Sequence, residues 1–184
     1  MQTSFQYKKG FTLVETLVAI TILLLAITGT MTTAQKGLQS AQYANEQVTA
    51  VFLAQEAIEA VRQYRDSQAL LAYHNQGGPV VVDTRLWLPP VNCAGGCIYN
   101  KDNPIPFGVC GNQRCQVGID QNGKFVQGGF GQPTQFSRKI YYEETKPGEV
   151  NVWVEVVWDG KIFGGAERKV LLQTWLYDHY ERYE

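Results

Sequence analysis

The stretch KKGFTLVETLVAITILLLAI, residues 8–27, decides the fold of this 184-residue chain. Two lysines precede a long apolar run, and Glu15 is the only charged residue from Phe11 to Gln35. A short basic region followed by an apolar run is typical of a targeting or anchoring signal. The stretch therefore predicts a membrane-directed N-terminus ahead of a more polar remainder.

Two general kinds of signal fit this pattern incompletely. A cleaved secretory signal would use Leu17–Ile27 as its apolar core, with a poor cleavage site ending at Ala34. A plain signal anchor would use Phe11–Met31, which spans ~31 Å as a helix and is long enough to cross a bilayer. Neither accounts for Glu15, because a carboxylate inside an apolar span is costly and is usually functional.

A third interpretation accounts for the glutamate. The string Lys8-Lys9-Gly10-Phe11-Thr-Leu-Val-Glu15 resembles the processing signal of type IV pilins and pseudopilins. The resemblance implies that a membrane peptidase cuts after Gly10 and that the same enzyme N-methylates Phe11. It also implies that Glu15 engages the N-terminal amine of a neighbouring subunit during assembly. Lys8 and Lys9 would hold the N-terminus in the cytoplasm.

Elementary physical chemistry supports these expected roles. Gly10 has no side chain, which permits close backbone approach at a bond to be cut. Cleavage would create a cationic amine at Phe11 in apolar surroundings, and a buried charge requires a counter-ion. Glu15 lies near the predicted start of a helix, where a negative charge complements the helix dipole.

A single long helix is predicted from Phe11 to about Tyr73, because no proline occurs before Pro79. The pattern is apolar all round up to about Met31 and amphipathic beyond it. The expected apolar face of the second part comprises Leu38, Ala41, Ala44, Val48, Val51, Phe52, Ile58 and Val61. This face should pack against a globular domain.

The middle of the chain, residues 76–133, holds 11 of the 18 glycines and six of the seven prolines. Such a composition predicts loops and short hairpins rather than helix. Asn122-Gly123 is a hairpin signal. A calcium loop at Asp120 is an alternative, but the remaining oxygen ligands and the distal glutamate are missing.

All four cysteines, Cys93, Cys97, Cys110 and Cys115, also lie in this region. An exported domain favours disulfides, whereas a four-thiolate zinc site is the competing interpretation. Four cysteines permit three pairings. A nested pairing suits a hairpin-like loop and a sequential pairing closes two small rings, and the sequence does not choose between them.

The C-terminal part predicts an antiparallel sheet of three or more strands. Strands are expected at Ser137–Glu144, along the alternating valines 150, 152, 154 and 156, and at Arg168–Tyr177, with turns at 146–149 and 159–165. Most of the four tryptophans are expected in packing positions rather than on a binding platform.

The predicted fold class is α+β. A long N-terminal helix, membrane-spanning in its first half, packs against this sheet in the lollipop arrangement that the resemblance implies. A weaker resemblance favours minor pilins of the PilV type or I-type pseudopilins. The expected segments are a leader (1–10), a transmembrane or filament-core helix (11–35), an amphipathic helix half (36–75), a loop and hairpin region (76–133) and a C-terminal sheet (134–184).

Several function classes receive no support. The net charge of −1 supplies no basic footprint for nucleic acid, and no enzyme motif is present, so neither catalytic residues nor a cofactor or resident metal is expected. The sequence predicts a minor subunit of a pilus-like filament in the cytoplasmic membrane, with its C-terminus outside the cytoplasm. Its expected partners are other pilin subunits, a prepilin peptidase and methylase, an inner-membrane assembly platform and membrane lipid. The alternatives are a pseudopilin of a type II secretion system and an anchored binding domain that does not polymerise.

Overall fold

The structure is a computed structural model that describes residues 10–76, 93–100, 107–111, 115–128, 131–160 and 166–177. Within these ranges the chain forms one helix and seven strands. These elements are α1 (Leu13–Gln76), β1 (Cys97–Tyr99), β2 (Phe107–Val109), β3 (Gln116–Ile119), β4 (Phe125–Gln127), β5 (Gln132–Lys146), β6 (Glu149–Gly160) and β7 (Ala166–Tyr177). The predicted helix and α+β class are confirmed.

The chain divides into two compact units, Met1–Ala44 and Asn45–Glu184. In the first unit nearly every described side chain of α1 is exposed. The second unit contains the rest of α1 and the whole sheet. The boundary falls inside the segment 36–75 that was expected to be amphipathic.

The sheet is built around the long strand β5. All pairings are antiparallel, and β6 follows one edge of β5 from Phe136 to Lys146, with β7 beyond it. The opposite edge of β5 is shared, first by β3 and then, at Ile140, by β1. β4 pairs with β3 and β2 pairs with β1. The sheet is therefore larger than the three-stranded meander that the C-terminal sequence predicts.

The core lies between one face of this sheet and the second part of α1. Val150, Val152, Val154 and Val156 are all fully buried, which confirms the predicted alternation along β6. They form one cluster with Ile140 on β5 and with helix residues that include Ala50, Leu53, Ala54, Ala57 and Val61.

The predicted packing face of α1 is partly wrong. Val48 and Phe52 are 51% and 65% exposed, whereas Ala50, Ala54 and Ala57 are fully buried. These alanines belong to one core cluster with the sheet valines, so the packed face of α1 combines small side chains with Leu53, Ile58 and Val61. Leu38, Ala41 and Ala44 are also exposed, so the packed face begins later than the predicted segment 36–75.

The turn predicted at 146–149 joins β5 to β6, although the strands are longer than predicted. Residues 159 and 160, expected to begin a second turn, belong to β6, and residues 161–165 lie outside the described residues. β5 begins at Gln132 instead of Ser137, and the turn to β6 contains Gly148 with a φ of 82°. In the β3–β4 hairpin, Gly123 has a φ of 76°, a backbone conformation that favours glycine. Asp120 Oδ1 accepts hydrogen bonds from the Asn122 and Lys124 amides, each at 2.8 Å, so this carboxylate closes a turn.

The four tryptophans follow the packing prediction only in part. Trp158 is buried and its Nε1 donates to Glu46 on α1 at 3.2 Å. Trp153 stacks on Tyr141 of the neighbouring strand with 5.4 Å between ring centroids. Trp175 is 42% exposed, and Trp87 lies outside the described residues.

A buried arginine joins the sheet to the helix. Arg138, on the inner face of β5, has 2% of its surface exposed. Its Nη1 donates to Leu53 O at 3.0 Å and to Glu56 Oε2 at 2.8 Å, and its Nε donates to Gln127 Oε1 at 3.1 Å. Burial lowers the pKa of the Arg138 guanidinium, and Glu56 opposes that shift by favouring the charged form.

Candidate processing and assembly segment

The start of α1 is built as a helix cap. Thr12 precedes the first helical residue, and its Oγ1 accepts a hydrogen bond from the Glu15 amide at 3.3 Å. Its carbonyl accepts from the amides of Glu15 and Thr16 at 3.1 and 3.2 Å. Glu15 therefore occupies the third helical position, where glutamate completes the Thr-x-x-Glu capping pattern. The sequence reasoning used Glu15 but missed Thr12, although this spacing was the available signal.

The predicted cleavage position lies just before this cap. Gly10 is exposed, and a Cβ added there would meet no atom within 4 Å. Phe11 is 80% exposed. The Gly10–Phe11 bond is therefore exposed. It lies within the three described residues that precede the helix. Lys8 and Lys9 lie outside the described residues.

The apolar run beyond the cap is uncovered. Large aliphatic side chains from Leu13 to Ile27 are between 48% and 81% exposed. The helix is long and apolar enough to cross a membrane, and none of its most apolar window is buried within the chain. Monomeric soluble proteins rarely expose so large a contiguous apolar surface, which indicates contact with lipid or with other chains.

Several threonines lie within this apolar run, and their hydroxyl groups form hydrogen bonds within the helix. The side chains of Thr16 and Thr21 donate to carbonyls three residues earlier, at 2.9 and 2.8 Å. Four further threonines do the same with carbonyls three or four residues earlier, namely Thr28, Thr30, Thr32 and Thr33. Each hydroxyl proton is therefore satisfied by the helix that carries it.

The four cysteines form two disulfides in the sequential pairing. Cys93 is joined to Cys97 and Cys110 to Cys115, with Cα–Cα distances of 5.1 and 5.2 Å. The nested alternative is therefore wrong. The pairing leaves none of these four sulfurs free as a thiolate for the competing zinc site. Cys93 and Cys97 belong to the buried core, whereas Cys110 and Cys115 are half-buried.

Comparison with known families agrees with the N-terminal geometry. Residues 6–31 match the family described as the prokaryotic N-terminal methylation motif. The chain carries a type IV pilin-like prepilin signal. No curated protein and no solved structure matches the chain significantly. The matched range contains the lysine pair, Gly10, Phe11, Thr12 and Glu15.

The prepilin signal supports a type IV pilin-like protein that is processed by a prepilin peptidase and assembles with other pilin subunits. The pilin-like family is structural rather than catalytic. Together with the exposed apolar helix, the signal indicates membrane anchoring.

Proposed function

We propose that the chain is a minor subunit of a type IV pilus-like filament. The peptidase cuts between Gly10 and Phe11, and the new N-terminus at Phe11 is methylated. The observation that carries this proposal is the methylation motif at residues 6–31, joined directly to an exposed apolar helix.

Burial of this helix keeps the subunit out of water both before and after assembly. Fully burying one Leu, Ile, Val or Phe side chain is worth about 1.5–3 kcal/mol, and more than ten of them stand exposed before Met31. In the membrane, lipid covers them. In a filament, the same surface packs against the equivalent helices of neighbouring subunits.

Glu15 selects the stagger between neighbouring subunits. After cleavage, the Phe11 amine is a positive charge at the end of an apolar segment, and an unpaired charge there is costly. Glu15 is the only carboxylate between Phe11 and Gln35, so it is the counter-ion available on an adjacent helix. A neighbour placed at any other height leaves both charges unpaired.

The proposed topology follows from the charge distribution. Lys8 and Lys9 keep the N-terminus in the cytoplasm, and the disulfide-bonded unit lies outside it. The partners are the prepilin peptidase and methylase, an inner-membrane assembly platform, membrane lipid and other pilin subunits.

Cleavage is tested by intact-mass analysis of the chain expressed with and without the peptidase. The expected product with peptidase begins at Phe11 and carries one added methyl group. A full-length chain, or a product cut near Ala34, contradicts the proposal.

Assembly is tested by recovery in sheared filaments. Glu15→Ala should be inserted and cut like the parent chain but recovered in filaments in much smaller amount. Glu59→Ala is the matched control, because Glu59 lies on the same helix outside the apolar segment and should leave recovery unchanged. Equal recovery of the two variants contradicts the assembly role of Glu15.

Two other outcomes would favour the alternative functions. Loss of secretion without loss of surface filaments would favour a pseudopilin. A processed chain that never leaves the membrane fraction would favour an anchored binding domain.

A further inference from the structure

We propose that the Cys110–Cys115 disulfide is an exchangeable redox site that controls how firmly the sheet holds α1. The Cys93–Cys97 disulfide is in contrast permanent. This inference goes beyond filament assembly and rests on the burial of the two disulfides and on the hydrogen bonds made by one carbonyl.

The two disulfides differ in their access to solvent. Cys93 and Cys97 are 2% and 0% exposed and belong to the core cluster beside α1. Cys97 also pairs with Val109 on β2 and with Ile140 on β5. Cys110 and Cys115 are half-buried. Thiol–disulfide exchange requires the incoming sulfur to reach the bond, so a soluble dithiol should open the Cys110–Cys115 bond first.

The carbonyl of Cys115 is a junction of three hydrogen bonds. It accepts from the Arg138 amide at 2.9 Å, from Gln127 Nε2 at 2.7 Å and from Ser137 Oγ at 3.4 Å. The adjoining β3–β5 pairing is irregular between Gln116 and Gly118. The Cys110–Cys115 bond is a covalent restraint on the residue that carries this carbonyl, next to a point where the strand pairing changes register.

Gln127 connects this junction to the buried arginine. Its Nε2 donates to both Cys115 O and Arg138 O, and its Oε1 accepts from Arg138 Nε. Arg138 Nη1 in turn donates hydrogen bonds to Leu53 O and to Glu56 Oε2 on α1. A displaced Cys115 carbonyl therefore leaves a buried amide short of a partner and loosens the arginine that holds the helix.

The exchange is a balanced two-electron step. A thiolate of an external dithiol attacks one sulfur of the Cys110–Cys115 bond, and the other sulfur leaves as a thiolate and takes up a proton. The second thiol of the reagent then attacks the mixed disulfide and releases the first cysteine. The chain gains two electrons and two protons, and the dithiol becomes a cyclic disulfide. A dithiol-carrying oxidoreductase is the class of partner that this chemistry fits.

The order of reduction is tested on the full chain in detergent micelles. Samples are titrated with dithiothreitol, alkylated and mapped by peptide mass spectrometry. The expected result is a concentration range in which Cys110 and Cys115 are labelled while Cys93 and Cys97 are not. Simultaneous labelling of both pairs, or earlier labelling of Cys93 and Cys97, overturns the proposal.

The consequence of opening is tested by hydrogen exchange on the half-reduced chain. Amides of the peptides containing Arg138 and Leu53–Glu56 should exchange about tenfold faster, while the β6–β7 ladder stays unchanged. Unchanged exchange at Leu53–Glu56 overturns the link to the helix.

Gln127→Met tests the route of this effect. In that variant, reduction should still raise the exchange rate of the Arg138 amide, which donates directly to Cys115 O. Reduction should not raise the exchange rate of the Leu53–Glu56 amides any further. An equal response of the helix in variant and parent overturns the route through Gln127. The titration of the parent chain decides the proposal even if the variant does not fold.

Discussion

Arg138 lies in a stretch, Ser137–Glu144, whose alternation predicts a strand, and that alternation places it on the same face as the buried Ile140. A charged residue is ordinarily placed in solvent, because an unpaired buried charge is costly. Its carboxylate partner, Glu56, is 82 positions away in the sequence. The strand was predictable from local pattern, whereas this ion pair depends on the tertiary fold.

Two glutamates on adjacent turns of α1 test the value of that pair. Glu56→Gln removes the charge opposite a guanidinium that is 2% exposed, and we expect a loss of about 1–3 kcal/mol in the free energy of unfolding. Glu59→Gln is the matched control, since its partner Arg62 is 41% exposed, and we expect a change within ~1 kcal/mol. Denaturant titration monitored by tryptophan fluorescence measures both. Similar losses in the two variants would contradict a special role for the ion pair of the buried arginine, whose partner Glu56 is 48% exposed.

The N-terminal residues were predictable for a different reason. Glu15 stands alone among apolar neighbours, so composition by itself marks it. Thr12 was not predicted as a cap, because several other threonines follow it and the residue type alone does not distinguish it. Its role depends on the position of the helix start, which is set by the capping hydrogen bonds themselves.

The packed face of α1 was only partly predictable from sequence periodicity. Apolar residues occur on several faces of this helix, so the predicted face included the exposed Val48 and Phe52 together with the buried Ile58 and Val61. The sheet covers one of these faces, and its residues are distant in the sequence. The short strands β1 and β2, three residues each, were not predicted, because so few residues show no periodicity. The third short strand, β4, lies in the hairpin that Asn122-Gly123 predicts.

Full burial makes the alanine positions of α1 sensitive to added volume. Ala57→Leu places three extra carbons at a fully buried position and should reduce the free energy of unfolding by about 1–3 kcal/mol. Ala44→Leu, the same change at an exposed position of the same helix, should stay within ~0.5 kcal/mol. Thermal unfolding followed by circular dichroism compares the variants. An unchanged midpoint for Ala57→Leu would mean that this position is less tightly packed than its full burial indicates.

The division of the whole chain at Asn45 implies that its two units depend on different surroundings. All buried apolar residues of the described ranges occur at Ala50 or later, in the unit that contains the sheet. The first unit has no core of its own in the part described, and its apolar side chains require lipid or other chains. The sequence predicted this contrast through the change from an all-apolar to a mixed pattern.

A fragment that begins at Asn45 should therefore fold in water without detergent. We expect its free energy of unfolding to lie within ~0.5 kcal/mol of the value for the full chain in micelles, because no described core residue is lost. A fragment that begins at Gln55 is the comparison, since it lacks Ala50, Leu53 and Ala54 and should unfold much more readily. Urea titration of tryptophan fluorescence gives both values. Aggregation of the Asn45 fragment would show that its core needs the preceding residues.

The threonines of the apolar helix have one more consequence. Each hydroxyl donates to a carbonyl of its own helix, so it requires no partner from outside. Transfer of a helix from hydrocarbon to a protein environment normally costs free energy wherever a polar group must exchange one partner for another. Here the hydrogen bonds stay the same on both sides of the transfer. Whether lipid tails or neighbouring side chains surround this helix, its threonines keep the hydrogen bonds that they already make.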